Sequence, residues 1–285
     1  MNRQRLLAAL AVSCAPALCP VGGLFAADLP AHAGQLEAST QQLPAVSARN
    51  FKLDLFGGGY ENGALGGIEG ALSIPLGIRF GTQIDGVGAA IDGEFFGSIS
   101  DHLFWRDPSQ GLLGLYGSYS HYNGFGGLDV YHGGVEAELY LGRVTLRGLV
   151  GYEIGDAGTE TINGATANYE FDNRVFDKLD VIYYPRDDLQ LFVGQRYTGG
   201  ILAGAAGAEY LWRSEGTTAT STFVEGRLGQ DNSKAIWAGV RLYFGESDKS
   251  LMRRHREDDP NLWEPDSHLG IDTQLNKTKA VPGVT

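Results

Sequence analysis

The chain has 285 residues, of which 42 are glycine, 13 tyrosine and 13 phenylalanine, and its formal net charge is −12. An acidic chain is a poor ligand for nucleic acid, so a nucleic-acid partner is excluded. No interior run of 18 apolar residues is present, which excludes a bundle of membrane-spanning helices. A strand of a membrane barrel needs only every second residue to be apolar, so this class stays open.

The N-terminus has the pattern of an export signal. Arg3 and Arg5 precede an apolar run at 6–12, and no further charge occurs before Asp28. The small residues of "AHA" at 31–33 place cleavage after Ala33, with "LFA" at 24–26 as a second possible site. Residues 1–33 are therefore predicted to be a cleaved signal peptide. Both cysteines of the chain fall inside it, so the exported protein needs no disulfide framework.

Residues 34–50 are polar and are predicted to be a periplasmic linker. From residue 51 onward the sequence alternates with period two, which is typical of strands with one apolar face. Twelve strands are predicted, and most have about the length that a tilted strand needs to cross a bilayer. They are 51–60, 63–73, 77–87, 100–107, 111–122, 128–141, 144–155, 174–184, 189–197, 200–213, 218–230 and 234–244.

The connections between these strands differ on the two sides of the sheet. Short turns follow the even-numbered strands, whereas the long connections, 88–99 and 156–173, follow odd-numbered ones. This asymmetry is typical of bacterial outer-membrane barrels, which have short turns on the periplasmic side. With an even number of strands, both ends of the chain then lie on the periplasmic side.

The last strand shows the alternation most clearly. Its apolar face carries Ile236, Val240 and Phe244, and its other face carries Arg241 and Tyr243. A soluble sandwich also alternates, so the pattern alone does not tell the inside from the outside. The export signal, charges of both signs at mid-strand and aromatic residues near strand ends favour a lipid-facing apolar side. These aromatic residues are Tyr60, Tyr122, Tyr140, Tyr152, Tyr183, Tyr184, Tyr210, Trp212 and Tyr243.

Residues 51–244, which finish on the strand ending "RLYF" at 241–244, resemble the outer-membrane β-barrel proteins of Gram-negative bacteria, a porin-like class. The resemblance rests on patterning, and no family-specific motif accompanies it. It implies an all-β fold over 51–245: an antiparallel, up-and-down transmembrane barrel of about twelve strands in contact with outer-membrane lipid. It also implies insertion by the barrel assembly machinery, with Tyr243 and Phe244 as the assembly signal.

If the apolar face meets lipid, the charged side chains line a narrow interior. Ten residues are predicted to line a pore: Arg79, Asp85, Glu136, Glu138, Arg147, Glu153, Arg196, Glu225, Arg227 and Arg241. Asp54, Lys178, Asp180 and Glu209 are expected on the same face. Such a wall suits a narrow pore for small polar or anionic solutes. The alternative is that the charges pair with one another and plug a structural or interaction barrel. No cofactor and no metal is predicted.

Two further functions are weaker alternatives. An outer-membrane lipid hydrolase needs a serine and a histidine on the lipid-facing wall, and the candidates are His102, His121 and His132 with Ser100, Ser118 and Ser120. An autotransporter translocator needs a passenger domain before the barrel and a helix through the lumen. Only about 17 residues lie between the predicted cleavage site and the first strand, which argues against it.

Residues 246–285 lose the alternation and form a C-terminal periplasmic tail. We expect disorder there apart from a short helix at 247–257. Its basic residues Arg253, Arg254 and Arg256 form a partner-binding cluster in one hypothesis, which docks on a periplasmic or cell-wall partner. In the other hypothesis the same cluster folds back into the mouth of the barrel.

Overall fold

A closed sheet of twelve antiparallel strands forms the protein, as a computed structural model shows for residues 43–162, 165–245, 249–258, 260, 262 and 266–279. Two more strands form a small separate hairpin. The strands are β1 Asn50–Tyr60, β2 Gly63–Pro75, β3 Phe80–Ile91, β4 Glu94–Asp107, β5 Gly111–Tyr122, β6 Leu128–Leu141, β7 Val144–Ala157, β8 Thr159–Ile162, β9 Ala165–Asn168, β10 Arg174–Arg186, β11 Leu189–Thr198, β12 Ile201–Glu215, β13 Thr218–Gly229 and β14 Lys234–Phe244.

Each barrel strand pairs with its neighbours in the chain, and the hairpin β8–β9 lies in the connection between β7 and β10. The barrel closes where β1 pairs with β14, from Phe51 opposite Phe244 to Tyr60 opposite Ala235. Closure leaves no unpaired edge, so the backbone groups of the wall are satisfied within it. The predicted all-β antiparallel barrel of twelve strands is confirmed.

The barrel is apolar outside, and its buried charged side chains lie inside, together with an apolar cluster at one end. In β14, Ile236 and Val240 are exposed on the outer wall, whereas Trp237, Arg241 and Tyr243 are buried. The other strands follow the same rule, which reverses the arrangement of a soluble barrel. None of the helices in the described part of the chain is long and apolar enough to span a bilayer.

The two ends of the barrel are here called the terminal rim, where β1 begins and β14 ends, and the far rim. The predicted loop 88–99 does not exist, because β3 continues to Ile91 and β4 starts at Glu94. Asp92 and Gly93 join them in a two-residue turn with positive φ at both positions, which suits an Asp-Gly hairpin. Of the connections expected to be long, the structure keeps the one that contains β8 and β9, so the asymmetry between the rims is smaller than predicted.

The C-terminal tail contains two helices, α1 (Leu251–Glu257) and α2 (Asp266–Lys279). The first lies within the helix predicted at 247–257. The second is a correction, since disorder was expected there. The described part of the predicted linker is also packed: Ala45 and Val46 are buried, and the Ala45 N–H donates to the Ile78 carbonyl at 2.7 Å. The predicted signal peptide, residues 1–33, lies outside the described residues.

The aromatic residues divide between the two faces of the wall, so the expected girdle is only partly present. The exposed members are Tyr152, Tyr183, Tyr210 and Trp212. The buried members, Tyr60, Tyr122, Tyr140, Tyr184 and Tyr243, point inward because they occupy the other parity of their strands. Their contacts are therefore with the contents of the barrel.

Candidate functional site

Pairs of opposite charge cross the interior wall at mid-height. The Nε2 of His102 lies 2.9 Å from Asp85, and its Nδ1 lies 2.9 Å from Glu136. Asp180 accepts hydrogen bonds from Arg147 at 2.7 Å and from Arg196 at 2.6 Å. These groups are buried or nearly so, and buried charges are tolerated where they are paired in this way.

A second network lies nearer the terminal rim. The Arg241 guanidinium donates to Asp54 at 2.6 Å and to Glu209 at 2.7 Å. Glu209 also accepts from the hydroxyls of Ser221 and Tyr243, both at 2.6 Å. The carboxylate of Glu209 is therefore fully engaged by donors from the wall.

Nine of the ten side chains predicted to line a pore belong to the inner face of the wall. Seven of them form the groups described above or are likewise buried; Glu225 pairs in register with the inward Trp237, and Glu138 accepts from the inward Tyr140 hydroxyl at 2.7 Å. Arg79 is the exception. It is exposed in the turn before β3, because β3 begins at Phe80 and not at residue 77.

Helix α1 closes the terminal rim. Its N-cap is Ser250, whose side chain accepts from the Arg253 N–H, and Leu251 is buried against Leu211, Ala219 and Tyr243. Beside the helix, Lys249 lies 2.6 Å from Asp258, and both contact Ser47 from the N-terminal segment. The segment that precedes β1 and the segment that follows β14 thus meet at this rim.

The basic cluster of the tail is held by aromatic rings. The Arg256 guanidinium lies 4.9 Å from the centre of the Tyr140 ring and 5.7 Å from that of Tyr184, and Arg254 lies 5.3 Å from that of Tyr243. Arg253 is half-exposed and pairs with Glu257 one turn on. Of the two hypotheses for this cluster, the contacts of Arg254 and Arg256 match the one in which the tail folds back into the barrel.

Between the two helices the tail enters the barrel. The carbonyl of Pro260 accepts from Lys52 Nζ at 2.9 Å, and Lys52 is buried inside the wall. The cavity beside it, bounded by Pro260, Arg256 and Glu138 among others, has a volume of about 20 Å³, room for a single water. At this level the tail fills the interior.

Helix α2 occupies the far rim. Asp272 accepts from Asn62 at 2.8 Å, Thr273 donates to Glu61, and the His268 ring lies 4.8 Å from that of Phe96 and 4.6 Å from that of Tyr122. Leu269, Ile271 and Leu275 join an apolar cluster with inward residues of the wall. We name residues 249–279 the C-terminal plug. The sequence does not predict α2, because the part of the barrel wall against which it packs is partly polar and requires no apolar stripe along the helix.

The connection between β7 and β10 also covers the far rim. Tyr169 is buried there with its ring 5.1 Å from that of Phe125, and its hydroxyl donates to Glu160 at 3.0 Å. Burial and the neighbouring Glu160 carboxylate raise the pKa of Tyr169 to about 12, so the phenol stays protonated. The long connection predicted at 156–173 is therefore packed at this point.

The serine and histidine pairs do not have the placement that a lipid hydrolase needs. Ser118 and His132 lie 3.2 Å apart, but both face the interior and are buried. His121 does face outward, and its ring nitrogens contact Asp129 and Asn123. A lipid-facing serine nucleophile with a histidine base is therefore not formed by these candidates.

No protein-family model matches the chain, and no curated protein matches it in sequence. Its fold is similar to the translocator domain of autotransporter NalP from Neisseria meningitidis, with a TM-score of 0.54 and 12% identity over 70% of this chain and 88% of that one. For the KdgM porin, solved with disordered oligogalacturonate, the TM-score is 0.49 and the identity 9%, over 68% of this chain and 99% of that one. For an outer-membrane channel from Pseudomonas putida F1, the TM-score is 0.49 and the identity 9%, over 74% of this chain and 99% of that one.

These identities are low, and what is shared is the architecture. A helix in the lumen, one of the two features expected of a translocator, is present here but comes from the C-terminal side of the barrel. Three observations indicate the same class of fold: the apolar outer wall, the closure of twelve strands and the similarity to the translocator domain. The chain has the fold of the bacterial outer-membrane β-barrels.

Proposed function

We propose that the protein is an outer-membrane channel for small polar solutes that its own C-terminal plug keeps closed. One observation carries this proposal: the wall of the barrel is complete without the plug. All twelve strands pair with one another, and the seam between β1 and β14 contains no residue of the plug. Withdrawal of the plug leaves a continuous barrel whose charged inner residues lie at mid-height and toward the terminal rim, with an apolar lining at the far rim.

The contacts of the plug are of a kind that can be broken and re-formed. They include hydrogen bonds, ion pairs and aromatic contacts, such as those of Asp272 with Asn62 and of Arg256 with Tyr140, each worth about 0.5–2 kcal/mol in proteins. Apolar packing of Leu251 in α1 and of the three apolar residues of α2 adds to them, and the sum sets how seldom the plug leaves. We therefore expect the channel to be closed most of the time and to open rarely.

The remaining assignments follow from the class of protein. The apolar outer wall is proposed to contact outer-membrane lipid, and the terminal rim is proposed to face the periplasm. Phe244 lies on the outer face 5.8 Å from Phe51, whereas Tyr243 points inward. The proposed signal for the barrel assembly machinery therefore offers Phe244, and not Tyr243, to the outside.

The test is conductance in planar lipid bilayers. The full-length protein should conduct rarely, and a variant lacking 248–285 should give frequent, stable conductance steps. Heat-modifiable gel mobility checks that the shortened chain forms a barrel. A shortened chain that is folded by this criterion and does not conduct would refute the proposal.

A permanently plugged structural barrel is the second candidate. The paired charges around Asp180 and Glu209 and the cavity of about 20 Å³ favour it, because a wall that satisfies its own charges needs no solute. In this case the full-length protein never conducts, and removing the plug destabilises the barrel instead of opening it. The same recordings and gels separate the two candidates.

A further inference from the structure

The inner wall at the terminal rim holds a guanidinium group in a pocket made for cations. Arg256 of α1 lies over the rings of Tyr140 and Tyr184. Its Nη2 donates to the Thr145 hydroxyl at 3.0 Å and to the Val144 carbonyl at 3.2 Å. Two ring faces and two oxygen acceptors are what a guanidinium or ammonium group requires.

Neighbouring carboxylates strengthen the attraction of the tyrosine rings for a cation. Tyr140 donates its hydroxyl to Glu138 at 2.7 Å, and Tyr243, which carries Arg254 over its ring, donates to Glu209 at 2.6 Å. A phenol that donates to a carboxylate has a more electron-rich ring, and such a ring attracts a cation more strongly. The negative charge is thus placed behind the aromatic surface that the cation meets.

Two of the three wall cations that line this cavity are paired with carboxylates. Arg147 pairs with Asp180 at 2.7 Å, and Arg241 pairs with Asp54 and Glu209, so their charge is offset within the wall. The third, Lys52, donates to the Pro260 carbonyl of the plug at 2.9 Å. The pocket therefore opens to the interior and presents rings and oxygen atoms that attract a cation.

We propose that this pocket, formed by Glu138, Tyr140, Thr145 and Tyr184, is the solute-binding site of the open channel, and that its ligand is a small organic cation of the guanidinium or alkylammonium class. The proposal rests on the channel function above. Arg256 occupies the site in the closed state as an internal mimic of the solute. This assigns a cationic solute, whereas the charged wall was predicted to suit small polar or anionic solutes.

Binding is tested with guanidinium chloride against urea, its neutral isostere, by calorimetry on the full-length protein in detergent. Arg256→Gln vacates the pocket in the complete chain and should raise the affinity for guanidinium about tenfold, with no effect on urea. Adding Tyr140→Leu or Glu138→Gln to this variant should reverse the gain. The matched control is Tyr183→Leu, on the outer wall beside Tyr184, and it should leave the affinity for guanidinium unchanged.

Conductance then separates this proposal from the channel function. Millimolar guanidinium at the terminal rim should raise the open probability of the wild-type channel severalfold, and urea should not. If guanidinium binds but the protein never conducts, the proposed pocket stands and the channel function is refuted. Conductance without preference for cations, or Arg256→Gln binding guanidinium no better than wild type, would refute the pocket.

Discussion

Asp54 and Arg241, 187 residues apart in the chain, form a two-pronged ion pair across the seam that closes the barrel. The Arg241 Nε and Nη2 donate to the two oxygens of Asp54 at 2.8 and 2.6 Å, and its Nη1 reaches Glu209. The pair is in register, because Asp54 lies directly opposite Arg241 in the β1–β14 ladder. One arginine therefore joins three strands on the inner face.

Replacement of this arginine should destabilise the barrel strongly. Arg241→Met leaves two buried carboxylates without their partner, which costs about 3–5 kcal/mol, whereas Asp54→Asn keeps an acceptor and costs about 1–3 kcal/mol. Urea-induced unfolding in lipid vesicles measures both. Arg186→Met is the control, since its pair with Asp188 is exposed and should be worth about 0–1 kcal/mol. Equal effects of Arg241→Met and Arg186→Met would contradict the structure of the seam.

The outer wall can be tested by depth. Val193 lies at the middle of β11 and Leu228 at the far-rim end of β13, and both are well exposed on the outside. If this surface faces lipid, Val193→Arg should cost about 2–4 kcal/mol of folding free energy and Leu228→Arg only about 0–1 kcal/mol. Folding into vesicles at a series of urea concentrations gives both values. No difference between the two variants would argue against a lipid-facing wall.

The sequence predicts the wall well and the far rim poorly, and the reason is the composition of the interior. In β14 the inner face carries Arg241, so the alternation is visible. In β3 both faces are apolar beyond Gly86, because Val87, Ala89 and Ile91 point inward against the cluster that contains α2. Without a polar partner face, the end of β3 has no period-two signal, and a strand was taken for a loop.

The contents of the barrel are harder to predict than its wall. Arg254 and Arg256 were recognised as a basic cluster, and Tyr243 was placed on the face of Arg241, but nothing in the sequence joins the cluster to the rings of Tyr140, Tyr184 and Tyr243. Gly270 shows no signal of its own in the sequence, although it allows α2 to approach the turn at 199–200. Such contacts join segments about 70 residues apart and leave no local pattern.

A reducible cross-link should lock the plug in place. The side chains of Asn62 and Asp272 are hydrogen-bonded at 2.8 Å, so Asn62→Cys with Asp272→Cys, in a chain whose Cys14 and Cys19 are serine, should be joined by a short bis-methanethiosulfonate reagent that forms a disulfide with each cysteine. The locked protein should show no openings, and a reductant should restore those of the wild type. Non-reducing gels report the cross-link, and each single cysteine variant is a control. Openings at the wild-type rate in the locked protein would mean that conduction does not require α2 to leave.

A single methyl group added at Gly270 should displace α2 from its contacts at the far rim. Alanine favours an isolated helix over glycine by about 1 kcal/mol, so the change stabilises α2 itself. In the docked helix, however, the new Cβ would lie 2.3 Å from the Thr198 carbonyl oxygen and 2.8 Å from the Arg227 guanidinium. Because the nearest atom is backbone, it cannot turn aside, and the helix must shift.

Gly270→Ala should therefore speed hydrogen exchange of the α2 amides severalfold and raise the rate of channel openings. Gly133→Ala is the matched control, because an added Cβ there meets no atom within 4 Å and should change neither. The barrel strands should keep their protection in both variants. If α2 in Gly270→Ala exchanges as slowly as in the wild type, the close approach of α2 to Thr198 is wrong.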